Sequence, residues 1–275
     1  MAENSGIEWT HHTFNPVVGC TKISPACDNC YAETWAKRSG APELWNGTRR
    51  KTKTWGMPVK WNKEAGEKGI RYRVFCASLA DVFDNQWEEQ WRTDLWALIK
   101  TTPNLDWLLL TKRPQNIKKM LPTDWGSGWP NVWLGVTIEN QEEANRRLPH
   151  FMGINAAVKF LSCEPLLGPL DLEYPDEINP KQYCCSGASN ECGCYGQPTS
   201  PPLLYDINWV IAGGESGPNF RAGNIDWFRS LRDQCVVWSV PFLFKQYEGP
   251  STAAIKKLGR ELDGVVWDQY PNMSP

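Results

Sequence analysis

Ten cysteines in 275 residues are unusual for a chain with no sign of a disulfide scaffold, and seven of them fall in two tight groups. Cys20, Cys27 and Cys30 form C-x6-C-x2-C inside GCTKISPACDNCYAE, residues 19–33. Three thiolates on one short loop suit a metal centre, and Pro25, Asp28 and Asn29 are turn formers that would shape it. Three ligands rather than four is the informative number. A [4Fe-4S] cluster held by three cysteines leaves one iron without a protein ligand, open to a substrate or cofactor. A Cys3His zinc site is the competing chemistry, with His11 or His12 as fourth ligand. Three separately buried cysteines are the third reading. Cys184, Cys185, Cys192 and Cys194 form C-C-x6-C-x-C, which could hold zinc or a second iron–sulfur cluster, or consist of oxidised pairs or free thiols. Cys76, Cys163 and Cys235 lie in expected strands or a helix and read as packing.

Such loops need a scaffold, and the apolar runs supply one. RVFCASL (73–79), DWLLLTK (106–112), NVWLGVT (131–137), VKFLSCE (158–164), NWVIAGG (208–214) and VPFLFKQ (240–246) are too continuously apolar to alternate inside and outside. They read as strands buried on both faces of a parallel sheet. HTFNPVVG (12–19) predicts a first strand, with a helix over about 30–38. Helices are expected over 85–100, where Trp87, Trp91, Leu95 and Leu98 share a face, and over 140–151 and 226–238. The order is (βα)n with six or seven units: an α/β fold and a single domain over 1–275, built as a partial or full TIM-type barrel with parallel strands, or as an open doubly wound sheet. Polar residues follow the strands in turn: Ser78 and Asp81, Lys112 and Arg113, Glu139, Glu164, the GGESG run of Gly213, Gly214 and Glu215, then Lys245 and Gln246. Sites in such folds lie at the carboxyl ends of the strands, so these residues predict a ring around one pocket. Two segments interrupt the pattern: a basic, Trp-rich stretch over 39–72 with no clear period, and a Cys-rich inserted loop over 174–205.

A three-cysteine loop after the first strand of a (βα)n chain resembles the radical S-adenosylmethionine (SAM) superfamily, although C-x6-C-x2-C is longer than that superfamily's usual C-x3-C-x2-C. The motifs NPVVGC, CYAE, FCASLADVFD, LLLTKRP, NVWLGVTIEN, FLSCEPLLGPL, INWVIAGGESG and FLFKQ resemble a family encoded in phages and bacteria and associated by name with a three-Cys-motif partner protein. Spore photoproduct lyase is the characterised branch it is distantly similar to. The resemblance implies a [4Fe-4S] cluster on Cys20, Cys27 and Cys30 that binds SAM through its unique iron and receives its electron from a donor such as a flavodoxin or ferredoxin. Reductive cleavage of SAM would give a 5′-deoxyadenosyl radical that abstracts hydrogen from a substrate. Tyr31 would pack over the cluster or the adenine. Ser78 and Asp81 would accept from the SAM ammonium, and Lys112 or Arg113 would pair with its carboxylate. Glu139, Glu164 and Glu215 would accept from ribose or substrate, and Gly213 and Gly214 would offer backbone N–H groups. Cys76 or Cys163 could return a hydrogen to a substrate radical.

The charge balance limits the partners. Lys plus Arg is 29 against 31 Asp plus Glu, a formal charge of −2, which excludes a uniformly basic nucleic-acid binder. Residues 36–73 nonetheless hold 11 Lys or Arg and 3 Asp or Glu, with Trp45, Trp55 and Trp61 interleaved. Basic groups with aromatics could hold a nucleic acid or nucleotide, as DNA repair or nucleic-acid modification would need; the same tryptophans could equally pin a solvated loop to the barrel. No run approaches ~20 apolar residues, and the N-terminus lacks the pattern of a secretory signal, so a cytoplasmic chain with no membrane partner is expected. Two other functions fit the residues: a zinc-stabilised nucleic-acid-binding protein without catalysis, and a barrel hydrolase with Glu139 and Glu164 as acid and base.

Overall fold

The computed structural model describes residues 2–3, 5–173 and 202–272. Seven parallel strands form one curled half-barrel: β1 (His12–Phe14), β2 (Tyr72–Cys76), β3 (Leu105–Thr111), β4 (Val132–Thr137), β5 (Val158–Cys163), β6 (Trp209–Gly213) and β7 (Phe242–Gln246). They neighbour one another in chain order, and Ala2–Glu3 adds a short antiparallel strand outside β1. The fold is α/β and the barrel is partial, because β1 and β7 do not pair. β1 is shorter than the apolar run 12–19. Pro16 has no N–H for the ladder, so the chain leaves the sheet there, and Val17–Val18 pairs instead with Arg50–Lys51.

The α-helices among the described residues are α1 (Tyr31–Arg38), α2 (Met57–Lys68), α3 (Glu89–Lys100), α4 (Ile117–Met120), α5 (Gln141–Met152), α6 (Ile225–Val237) and α7 (Thr252–Leu258). The face of α3 differs from the expected one. Arg92, Leu95, Trp96 and Ile99 are its buried residues, while Trp87 is buried ahead of the helix. Arg92 is on that face because its guanidinium donates to the Val82 and Asp84 carbonyls. Helix α2 lies in the stretch read as aperiodic. Pro58, Trp61 and Ala65 make a narrow buried stripe, and Gly69 closes the helix with φ 65°.

The two faces of the sheet carry different cores. Val74, Trp107, Leu109, Leu134 and Phe242 pack with Leu95, Leu148, Phe228 and Leu231 of the helices. The opposite face holds a separate cluster of Trp9, Phe75, Leu108, Trp133, Phe160, Trp209 and Leu243. Gly135 makes room there, since a Cβ at that position would stand 2.2 Å from the Phe160 ring. Residues alternate between faces along a strand, so Leu110, Thr137, Ser162 and Lys245 continue this second face toward the carboxyl ends. Among the described residues no helix is long and apolar enough to cross a membrane. Cys184, Cys185, Cys192 and Cys194 lie outside the described residues, as does most of the 174–205 loop.

Candidate metal and cofactor site

The cysteine loop lies across the carboxyl ends of the strands and is tied to most of them. Gly19 sits at φ 113°, and a Cβ there would stand 2.2 Å from the Thr48 carbonyl oxygen, so the approach to Cys20 requires glycine. Gly19 N–H donates to the Leu79 carbonyl and Cys20 N–H to that of Leu44. Pro25–Cys27 makes one 3-10 turn, and Cys30 is the residue ahead of α1, its carbonyl accepting from Glu33 N–H. Asn15 receives the Leu79 N–H at 2.8 Å and bonds Ser78 Oγ, holding the β2 end beside the loop. Tyr31 Oη donates to the Ser78 carbonyl at 2.6 Å.

Beneath the loop is a cavity of about 1150 Å³, counted to its open mouth, and Cys20, Cys27 and Cys30 all line it. Its wall includes Trp9, Phe75, Leu110, Thr137 and Ser162 from the concave face and Trp45 from the loop side. Burial pushes the Cys20 and Cys30 thiols up; the Arg113 charge at Cys20 and the Lys112 charge at Cys30 oppose it. The Thr137 hydroxyl and Trp9 Nε1 are buried without hydrogen-bond partners. No histidine lines the cavity. His11 Nδ1 accepts from Arg73 N–H, and His12 stacks on Trp61 at 4.4 Å beneath α2, so neither can complete a zinc site with these cysteines. Among the described residues no group of three or more His, Cys, Asp or Glu converges tightly enough to hold a metal ion. A single zinc requires sulfurs within about 4 Å of one another, whereas a cluster gives each thiolate its own iron and a wider spacing.

Of the ten residues expected around a cofactor, Tyr31, Ser78, Asp81, Lys112, Arg113, Glu164, Gly214 and Glu215 line the cavity. Glu139 and Gly213 do not. Glu139 is fully buried in an ion pair with Arg147 at 2.6 Å and accepts from Ala26 N–H. Burial pushes its carboxyl up, but the Arg147 charge, a Ser24 hydrogen bond and the Lys112 charge together outweigh this and hold it below the ordinary 4.5. It anchors the cysteine loop and is not placed to work as an acid–base partner of Glu164. Gly213 is covered by Glu164, whose Oε1 would be 2.8 Å from a Cβ there. Gly214 N–H is committed to the Gln246 carbonyl, so the GGESG run offers no free cradle at that point.

Several lining residues are also engaged differently from expectation. Asp81 accepts from Thr111 Oγ1 at 2.7 Å, Phe83 N–H at 3.0 Å, Lys112 N–H at 3.1 Å and Arg113 Nη1 at 3.2 Å, which occupies both oxygens. Arg113 turns toward the loop, to Cys20 Sγ and the Thr21 carbonyl. Glu215 is clamped by Arg221 Nε at 2.9 Å and by Asn29 Nδ2 at 3.1 Å. Burial raises its carboxyl, and the Arg221 and Asn29 hydrogen bonds bring it below the ordinary value. Arg221 also donates to the Pro25 carbonyl at 2.9 Å, strapping the cysteine loop to the loop after β6. Among the described residues Lys112 Nζ makes no hydrogen bond or ion pair, which leaves a cation facing the cavity. Glu164 receives Lys245 Nζ at 2.7 Å on Oε1. The roles of Asn15, Arg147 and Arg221 were not legible in sequence, and Asn29 was legible only as a turn former, because their partners are distant in the chain or on another element.

One further expectation changes. Cys76 and Cys163 belong to the helix-facing core and do not line the cavity, so neither is placed to return a hydrogen there. In the basic segment Trp45 and Trp61 are buried and Trp55 is half-buried under Lys51, 4.6 Å from its ring centre. Arg49, Lys51, Lys60, Lys63, Lys68 and Arg71 are ion-paired. Trp61 and Trp55 pack on the barrel's helix-side core, while Trp45 packs in the loop-side cluster and lines the cavity.

Among curated proteins no sequence matches this chain. A solved structure of a spore photoproduct lyase mutant with bound AdoMet and dinucleoside spore photoproduct is similar to it at 14% identity and a TM-score of 0.41. The match covers 57% of this chain and 46% of that one, so this chain spans less than half of that relative's length. The sequence matches the family described as "Protein of unknown function (DUF5131)" over residues 4–271, and the chain belongs to that family.

Proposed function

We propose that this chain is a radical SAM enzyme whose Cys20, Cys27 and Cys30 hold a [4Fe-4S] cluster at the mouth of the half-barrel. The observation that carries this reading is the donor set: three thiols of one loop open onto one cavity and, among the described residues, no fourth cysteine or histidine lines its wall. That set fits a cluster with one iron left for an exchangeable ligand. When bound and reduced by a donor of the flavodoxin or ferredoxin type, the cluster and SAM supply a 5′-deoxyadenosyl radical that takes hydrogen from a substrate.

The chain's own residues bind and enclose. Lys112 is the cation available to the SAM carboxylate. Glu164, fixed by Lys245 on one oxygen, presents the other to an ammonium or a ribose hydroxyl. The unpartnered Thr137 hydroxyl supports a ligand that completes its hydrogen bonding. Trp9, Phe75 and Leu110 make an apolar floor that excludes water from a reactive species.

Anaerobic reconstitution with iron and sulfide tests the reading. The wild type is expected to take up about four irons per chain, turn brown and, reduced with SAM present, release 5′-deoxyadenosine. Cys20→Ala, Cys27→Ala and Cys30→Ala are each expected to abolish that product. A folded wild type that takes up no iron would falsify the proposal.

A further inference from the structure

We infer that Arg113 is a positioning residue that sets the reduction potential of the cluster through a hydrogen bond to the Cys20 sulfur. The inference rests on the cluster reading above and adds a role that the cysteines alone do not carry. Arg113 Nη1 lies 3.7 Å from Cys20 Sγ and 3.2 Å from Asp81 Oδ2, and Nη2 donates to the Thr21 carbonyl at 3.1 Å. One guanidinium fork thus grips the sulfur, the next residue's backbone and a buried carboxylate. The fork is planar and permanently charged, so its three contacts fix one another.

The support behind it is rigid. Asp81 is held by Thr111 Oγ1 and by the N–H groups of Phe83 and Lys112. Thr111 Oγ1 in turn accepts from Arg113 N–H at 2.8 Å. The Arg113 and Asp81 side chains are 8% and 6% exposed, so solvent screens their charges little. Cys27 has a neutral neighbour by contrast, with Ser24 Oγ 4.0 Å from its sulfur. Reduction adds one negative charge to a cluster, and a cationic N–H donor on a ligating sulfur favours the charged state. Hydrogen bonds to the sulfurs are a recognised control of cluster potential.

The test is a redox titration of the anaerobically reconstituted full chain, followed by electron paramagnetic resonance, beside iron content and circular dichroism. Arg113→Met is expected to keep wild-type iron content. At a fixed potential near the midpoint its reduced-to-oxidised ratio should fall about tenfold, a shift of about 59 mV to the negative side for one electron. Arg113→Lys keeps the charge without the fork and should fall between the two. Lys22→Met removes a cation bonded to the Asp28 carbonyl and Glu33 but to no sulfur, and should titrate like the wild type. An unchanged potential in a fully loaded Arg113→Met chain overturns the inference and leaves the cluster reading standing. An equal shift in Lys22→Met also overturns it, because loop charge in general would then explain the effect. If Arg113→Met fails to fold or hold iron, Arg113→Lys decides: a negative shift supports the inference, and a wild-type potential or loss of iron there too reduces Arg113 to a structural brace. A wild type that binds no iron removes both readings together.

Discussion

Glu139 shows how far residue type alone can mislead. A carboxylate after a buried strand at the carboxyl end of a (βα)n sheet is a reasonable ligand on sequence grounds, yet its charge is spent on Arg147 and the backbone of Ala26. Arg147 is 1% exposed, and nothing in an arginine eight residues along announces that its guanidinium turns back to the strand end. Removing one member of a buried ion pair costs about 3 kcal/mol, since the other charge is left without its partner. Arg147 here keeps a second carboxylate, Glu143 at 2.9 Å, so Glu139→Gln is expected to lose less than that, about 1–2 kcal/mol, at neutral pH. The pH dependence has a definite sign. The folded Glu139 carboxyl titrates below the ordinary 4.5, so its contribution is complete above about pH 4.5 and is lost as pH falls through the lower folded value. The gap in denaturant stability between wild type and Glu139→Gln should be widest at neutral pH and narrow below about pH 4.5. A gap that widens on acidification would contradict the pairing.

At the scale of elements, what was legible in sequence followed from burial on both faces. Strands such as Leu105–Thr111 and Val158–Cys163 are buried along most of their length, so they leave continuous apolar runs whose ends locate the carboxyl rim. Helix α2 was not legible, because its buried stripe is three residues wide among lysines and glutamates; Pro58 near its start and Gly69 at its stop were the available signals. The cysteine loop lies between these cases. Its ligands and turns were readable, but the straps from Arg221 and Asn29 join residues more than 180 positions apart. Gly19 is where backbone geometry decides whether the loop can reach its place. Gly19→Ala would force an alanine to φ 113° with its Cβ against Thr48, a strain of about 1–3 kcal/mol. The chain is expected to remain folded by circular dichroism while iron uptake on reconstitution falls several-fold, because Cys20 follows directly. Full iron uptake would show that the loop absorbs the change.

An open half-barrel must close its concave face without pairing β1 to β7, and this chain does so with aromatic packing from both ends of the sequence. Trp9 lies 4.7 Å from Phe75 and 6.3 Å from Trp209 between ring centres. Tyr270 completes the join: its ring is 5.3 Å from Trp209, the Arg73 guanidinium stands 4.1 Å over it, and its hydroxyl donates to the Glu8 carbonyl. One side chain thereby links β6, β2 and the segment before β1. The alternating strand pattern foretold which residues share the concave face, but not that residue 270 would sit among them, since that contact spans nearly the whole chain. Tyr270→Ala should cost about 2 kcal/mol, less than the ~3–5 kcal/mol of a fully buried aromatic because this ring is only half-buried. For a chain of this size that is a fall in Tm of roughly 4–8 °C. The loss lies at the amino-terminal end of the strands, away from the cysteine loop, so iron uptake should stay at the wild-type level at temperatures where the variant is folded. A variant that kept its Tm would mean that the two edges are held without Tyr270; one that lost iron while folded would mean that the floor and the rim of the half-barrel are coupled.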